Sequence, residues 1–157
     1  MFGDFVERAF TDPMLFGDQG KTYYLVLYIS ALFVCLIPTF INHRNDSWYK
    51  SLGASGAVSA IVFAGILFDP TAKLGFFFIP PIIPGYIFGP LYLLLSSLLG
   101  RQNRDNINHS AHIWGALYGV GFTIALAYFL KSDYQPGEQF WWKVQAHLSS
   151  LGISLPR

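Results

Sequence analysis

Charge is what this sequence has least of. Of its 157 residues, 12% are Asp, Glu, Lys or Arg, against 53% hydrophobic and 18% aromatic. A soluble domain carries about twice that charged fraction. The mean hydropathy of +0.41 agrees, and the chain reads as an integral membrane protein. A net charge of +1 provides no basic field, so no nucleic-acid partner is expected. Cysteine is nearly absent. Cys35 stands alone in an apolar run and has no second thiol to pair with, which excludes a secreted disulfide framework. The first twenty residues are not expected to act as a cleavable signal, because Asp4, Glu7, Arg8, Asp12 and Asp18 fall among them. Internal repeats, low-complexity segments and the alternation of a membrane β-barrel are likewise not seen.

What is present is apolar sequence in long runs. A helix crossing the hydrocarbon core needs about 20 mostly apolar residues. Residues 22–41, 53–68, 85–99 and 110–130 qualify as spans, and all nine acidic and all ten basic residues lie outside them. In lipid every backbone group must bond internally, so each span should be a helix. The expected fold is an all-α bundle of four transmembrane helices. Pro80, Pro81 and Pro84 mark about 70–84 as an interfacial loop. With four spans both termini share one side. Placing them inside puts Arg8, Lys21, Lys73, Lys131, Lys143 and Arg157 there, against Arg44, Lys50, Arg101 and Arg104 outside. Residues 1–130 form the membrane domain and 131–157 a tail. In that tail Phe140, Trp141, Trp142, Val144 and Leu148 fit one face of a short interfacial helix, the alternative being a loose terminus.

Two short motifs stand out against this background. "GASG" puts Ser55 between small residues at the mouth of the second span, with Gly53 and Gly56 leaving the backbone uncluttered. "NINHSAHIWGALYGVGF" puts His112 at the start of the fourth span, one turn before Gly115 and two before Gly119. Those two glycines share a helix face and leave a groove for another helix. Spans two and four run in the same direction because one helix intervenes. Their N-terminal ends therefore meet at one membrane face, and packing on the glycine groove brings imidazole toward hydroxyl. Histidine can take a proton near neutral pH and so activate a serine. No acidic residue lies in a span, so a Ser55–His112 dyad is expected rather than a triad. Unpaired N–H groups in the first turn, including that of Ser55, suit an oxyanion. Small residues in membrane helices are more often simple packing, and a helix-end histidine is more often interfacial. Met14, Tyr92 and Tyr118 read as packing or belt residues, and Ser59, Ser96 and Ser97 as back-bonded to their own helices.

At these residues the sequence resembles the rhomboid intramembrane serine proteases. The G-x-S-G motif is matched by Gly53-Ala54-Ser55-Gly56. The A-H-x-x-G-x-x-x-G motif is matched by Ala111-His112-Ile113-Trp114-Gly115-Ala116-Leu117-Tyr118-Gly119. The likeness runs from about Gly3 to Leu130. It implies cleavage of membrane-anchored proteins in or beside their transmembrane helices, with no metal or cofactor. Ser55 is the implied nucleophile, His112 the implied general base and acid, and the Ser55 N–H a contributor to the oxyanion hole. The partners implied are transmembrane protein substrates and the lipid bilayer, and the location implied is a multi-pass protein of a bacterial inner membrane.

The sequence also departs from the family. Six core helices are usual there, and the second carries an H-x-x-x-N motif that this sequence lacks. "FGDFVERAF" resembles the segment after that helix, so the chain corresponds to the last four core helices and the oxyanion side chains are expected to be absent. Ser59 stands where many relatives have a tyrosine stacked on the histidine, leaving Trp114, His109 or Asn108 to orient His112. The rival reading is a non-catalytic rhomboid-like protein that binds membrane clients, or an inactive fragment. A transporter is disfavoured, because mid-span positions are almost all apolar.

Overall fold

The computed structural model describes residues 2–46, 54–75, 80–102 and 108–153. Helices α1 (Phe2–Phe10), α2 (Gly20–Val34), α3 (Ile37–His43), α4 (Ser55–Phe68), α5 (Gly85–Gln102), α6 (His109–Phe129) and α7 (Pro136–Ser150) account for most of them. Two-residue strands β1 (Lys73–Leu74) and β2 (Ile83–Pro84) pair antiparallel where the sequence suggested only loop.

Each helix boundary has a local cause. A single 3-10 turn at Gly17–Gln19 leads into α2. Pro38 in the first turn of α3 has no N–H to return to the preceding turn, so the first apolar run breaks at Cys35 and Leu36. Asn108 caps α6, its side chain accepting the Ala111 N–H at 2.9 Å. The first helix, α1, is amphipathic. Val6 and Phe10 are fully buried, while Asp4 and Arg8 form an exposed pair at 3.1 Å, a contact worth little in water.

By length and apolarity, Gly17–His43 and His109–Phe129 are sufficient to cross a bilayer, with 27 and 21 residues. Ser55–Phe68 and Gly85–Gly100 are apolar but shorter. Of the four spans the sequence suggested, two thus reach full length among the described residues. Large apolar side chains on α2 and α3 face outward, Phe33 and Phe40 being 70% and 71% exposed. Water would penalise such a surface, whereas hydrocarbon accepts it. Within the tail, Pro136–Ser150 form α7. Val144 of α7 is buried, while Trp141 and Trp142 point outward.

Helix α4 is the centre of the molecule, with eleven of its 14 residues buried. A helix so largely enclosed must be apolar on most of its faces; Ser59 is buried with its hydroxyl bonded to the Ser55 carbonyl, and Ser55 itself is exposed at the helix start. Its C-terminal end is closed by Phe10, whose ring meets Phe68 edge-on at 5.6 Å. Lys143 of α7 donates to the Phe68 carbonyl at 2.7 Å, satisfying an acceptor that the helix end leaves open.

The tightest contact lies between α4 and α6. A methyl group on Gly115 would overlap the carbonyl oxygen of Gly56, and one on Gly119 would overlap that of Ala60. The two backbones touch directly, as small residues in membrane helices permit. One turn forward on α4 corresponds to one turn forward on α6, so the helices run parallel. Replacing Gly115 or Gly119 with Ala drives a methyl into backbone, which cannot move aside as a flexible side chain would. The expected loss is roughly 1–3 kcal/mol for each, read as a lower unfolding midpoint in detergent. Gly121→Ala should be neutral, because nothing lies within 4 Å of the added carbon.

Candidate active site

Ser55 opens α4, preceded by Ala54 as the capping residue. Its side chain is exposed, and its carbonyl accepts the Ser59 hydroxyl at 3.0 Å. Gly56, the next residue, is buried against α6 and the Cys35 side chain, and a methyl there would come within 3.0 Å of the Ala111 carbonyl oxygen. Ser55 therefore sits one residue from the point where α4 and α6 meet.

His112 approaches the same point from the other helix. It lies one residue beyond Ala111 and one turn before Gly115. The parallel register thus brings Ser55 and His112 to one end of the bundle. Among the described residues no hydrogen bond joins the two side chains. Gly56, Gly115 and Gly119 all lie in the contact of α4 with α6. Gly53 lies outside the described residues.

The surroundings of His112 are aromatic. The Tyr92 ring of α5 stacks on it, with centroids 6.0 Å apart and planes 27° apart. His109 meets it edge-on at 5.9 Å and 80°. The start of α6 is tied to α3 as well, because Thr39 donates to the Asn108 side-chain oxygen at 3.1 Å. That oxygen therefore holds both the Ala111 N–H and the Thr39 hydroxyl.

A parallel helix pair closed on glycine, with serine and histidine at one end, can be set against known proteins. The Rhomboid domain model matches residues 1–129. This chain belongs to the rhomboid family. It is 35% identical over 100 residues to RHOMBOID-like protein 12, mitochondrial, of Arabidopsis thaliana, covering 62% of this chain and 29% of that protein. It is 32% identical over 113 residues to Presenilin-associated rhomboid-like protein A, mitochondrial, of Danio rerio, covering 66% of this chain and 27% of that protein. The chain thus spans less than a third of the length of these relatives. No solved structure matches it. Both relatives are mitochondrial by name, so the expectation of a bacterial inner membrane is without support; membership of a membrane-embedded family stands.

Within this rhomboid chain, of the three neighbours that the sequence named for His112, His109 meets its ring, and Tyr92 joins it. Trp114 is 48% exposed and turns outward. Asn108 caps the helix through its oxygen, and His109 offers an edge. The ring that faces the imidazole is Tyr92, which the sequence suggested only as packing or belt. A signal was available, because a small residue at Ser59 leaves a space that some other ring must fill. Tyr118 is also more than a belt residue: it donates to Ser30 of α2 at 2.8 Å. Replacing Asn108 with Ala should cost about 1 kcal/mol at the start of α6. Faster amide hydrogen exchange over residues 109–112 is the expected readout, and unchanged exchange there would mean that the cap does not hold this end.

Proposed function

We propose that this chain carries the nucleophile and base of an intramembrane serine endopeptidase. Its substrates would be membrane-anchored proteins, cut in or beside their transmembrane helices. The supporting observation is the parallel contact of α4 and α6 through Gly56, Ala60, Gly115 and Gly119, which puts Ser55 and His112 at the same end.

We read the α2–α3 run, α4, α5 and α6 as four spans, with both termini on one side and α7 lying in the interface through Trp141 and Trp142. At 1.5 Å per residue, the 14 residues of α4 rise about 21 Å, while the hydrocarbon core is ~30 Å thick. Because α4 is walled by protein, it need not match the lipid. With its Phe68 end near one surface, its Ser55 end stops short of the other. A nucleophile so placed meets a peptide bond below the membrane surface.

The chemistry is acyl transfer. Ser55 Oγ attacks the scissile carbonyl while His112 accepts the hydroxyl proton. The tetrahedral oxyanion takes hydrogen bonds from first-turn N–H groups of α4, that of Ser55 among them. As the C–N bond breaks, His112 returns the proton to the leaving amine. Water, deprotonated by His112, then adds to the ester and releases the acid and the Ser55 hydroxyl. The reaction so written calls for neither metal nor cofactor.

A fluorophosphonate probe tests this on the protein in detergent or bilayers. Wild type should label and Ser55→Ala should not. His112→Ala should slow labelling by about 10²–10⁴-fold, the contribution of a positioned base. Undiminished labelling of Ser55→Ala would discard Ser55 as nucleophile. A folded wild type that does not label would favour the client-binding, non-catalytic reading.

A further inference from the structure

Tyr92 is held by neighbours on three helices. Phe88, one turn earlier on α5, stacks on it with centroids 5.9 Å apart and planes 21° apart. Phe63 of α4 packs at 5.6 Å and 54°. The Tyr92 hydroxyl lies 2.7 Å from Ser59 Oγ, and Ser96 lies close to the same hydroxyl. The Ser59 proton is already committed to the Ser55 carbonyl at 3.0 Å. A serine hydroxyl has one proton and two lone pairs, so in this arrangement Tyr92 donates and Ser59 accepts. The connection runs from the Ser55 carbonyl, through the Ser59 hydroxyl and the Tyr92 ring, to the face of His112.

We propose that Tyr92 is the positioning residue for His112, with Ser59 as its anchor on the nucleophile's own helix. An imidazole that must collect a proton from one atom and deliver it to another has to be held in plane. The stacked Tyr92 ring restricts rotation of His112 about its Cβ–Cγ bond, and the edge of His109 limits it from a second direction. Ser59 is small because the ring arrives from α5. A tyrosine at 59 and the present Tyr92 would compete for one volume. The orientation of the base therefore depends on three helices: α6 carries His112, α5 brings the ring, and α4 fixes the ring's hydroxyl. This role rests on His112 being the base, but the ring's grip on the imidazole can be measured without any reaction.

Histidine-labelled protein in micelles gives that measurement. The His112 ring resonances, assigned by their loss in His112→Gln, should carry an upfield ring-current shift. Tyr92→Leu, close in bulk but without a π face, should abolish the shift. Tyr92→Phe should keep it, because the ring and its Phe88 contact remain. In fluorophosphonate kinetics Tyr92→Leu should lower the maximal labelling rate by roughly ten- to a hundredfold while half-saturation stays put, as expected where reactivity rather than probe binding is lost. Tyr92→Phe should keep the larger part of the rate, losing only the part that the Ser59 anchor supplies. The exchange Ser59→Tyr with Tyr92→Ser should restore both shift and rate, which a mere loss of bulk at 92 would not predict. Wild-type resonances in Tyr92→Leu would overturn the proposal, and so would a Tyr92→Phe protein as slow as Tyr92→Leu. Should wild type fail to label at all, the protease reading falls, while the ring-current shift still decides whether Tyr92 holds His112.

Discussion

The whole arrangement depends on a line of contact where two helices meet backbone to backbone. Gly56 and Ala60 of α4 lie against Gly115 and Gly119 of α6, with no room for a methyl group on Gly115 or Gly119. In lipid, apolar side chains gain nothing from leaving water, so association relies on close packing and polar contacts. Direct contact of two backbones brings many atoms within dispersion range at once. It also fixes the register, because a slip of one residue would put a side chain where only hydrogen fits. That register is what sets Ser55 and His112 at a common end.

Polar side chains refine what the glycines begin. Tyr118 bonds Ser30 between α6 and α2, Thr39 bonds Asn108 between α3 and the start of α6, and Tyr92 bonds Ser59 between α5 and α4. Each joins elements far apart along the chain, and each spares a hydroxyl from lying unsatisfied among apolar groups. Two of the three lie near His112. The opposite end of α4 is closed differently, by the rings of Phe10 and Tyr134 and by the Lys143 bond to Phe68. One end of the central helix is thus sealed, while Ser55 at the other is exposed.

Much of this was legible because the sequence repeats at helical spacing. Gly115 and Gly119 lie four apart, so they share a face in any helix, whatever packs on it. The apolar runs announced α2, α4, α5 and α6, since lipid demands both their composition and their helicity. Tyr92 was not legible. It lies 20 residues from His112 and 33 from Ser59, and no periodic rule links positions so far apart. The short β1–β2 pair was hidden for a similar reason, since two residues carry no alternation to detect. The break at Cys35 and Leu36 was marked by Pro38, but a proline in the first turn is equally at home in an uninterrupted start.

By itself the sequence determined the solvent, the helical class and the glycine face of α6, and it singled out Ser55 and His112. These follow from composition and local spacing, which act on each segment separately. Tertiary structure alone decided that α4 is the buried centre, that α5 lends its ring to the histidine, and that Asn108 serves two hydrogen bonds at once. Those outcomes depend on which surfaces meet. Close packing lets a ring, a hydroxyl and an imidazole from three separate helices occupy one small volume.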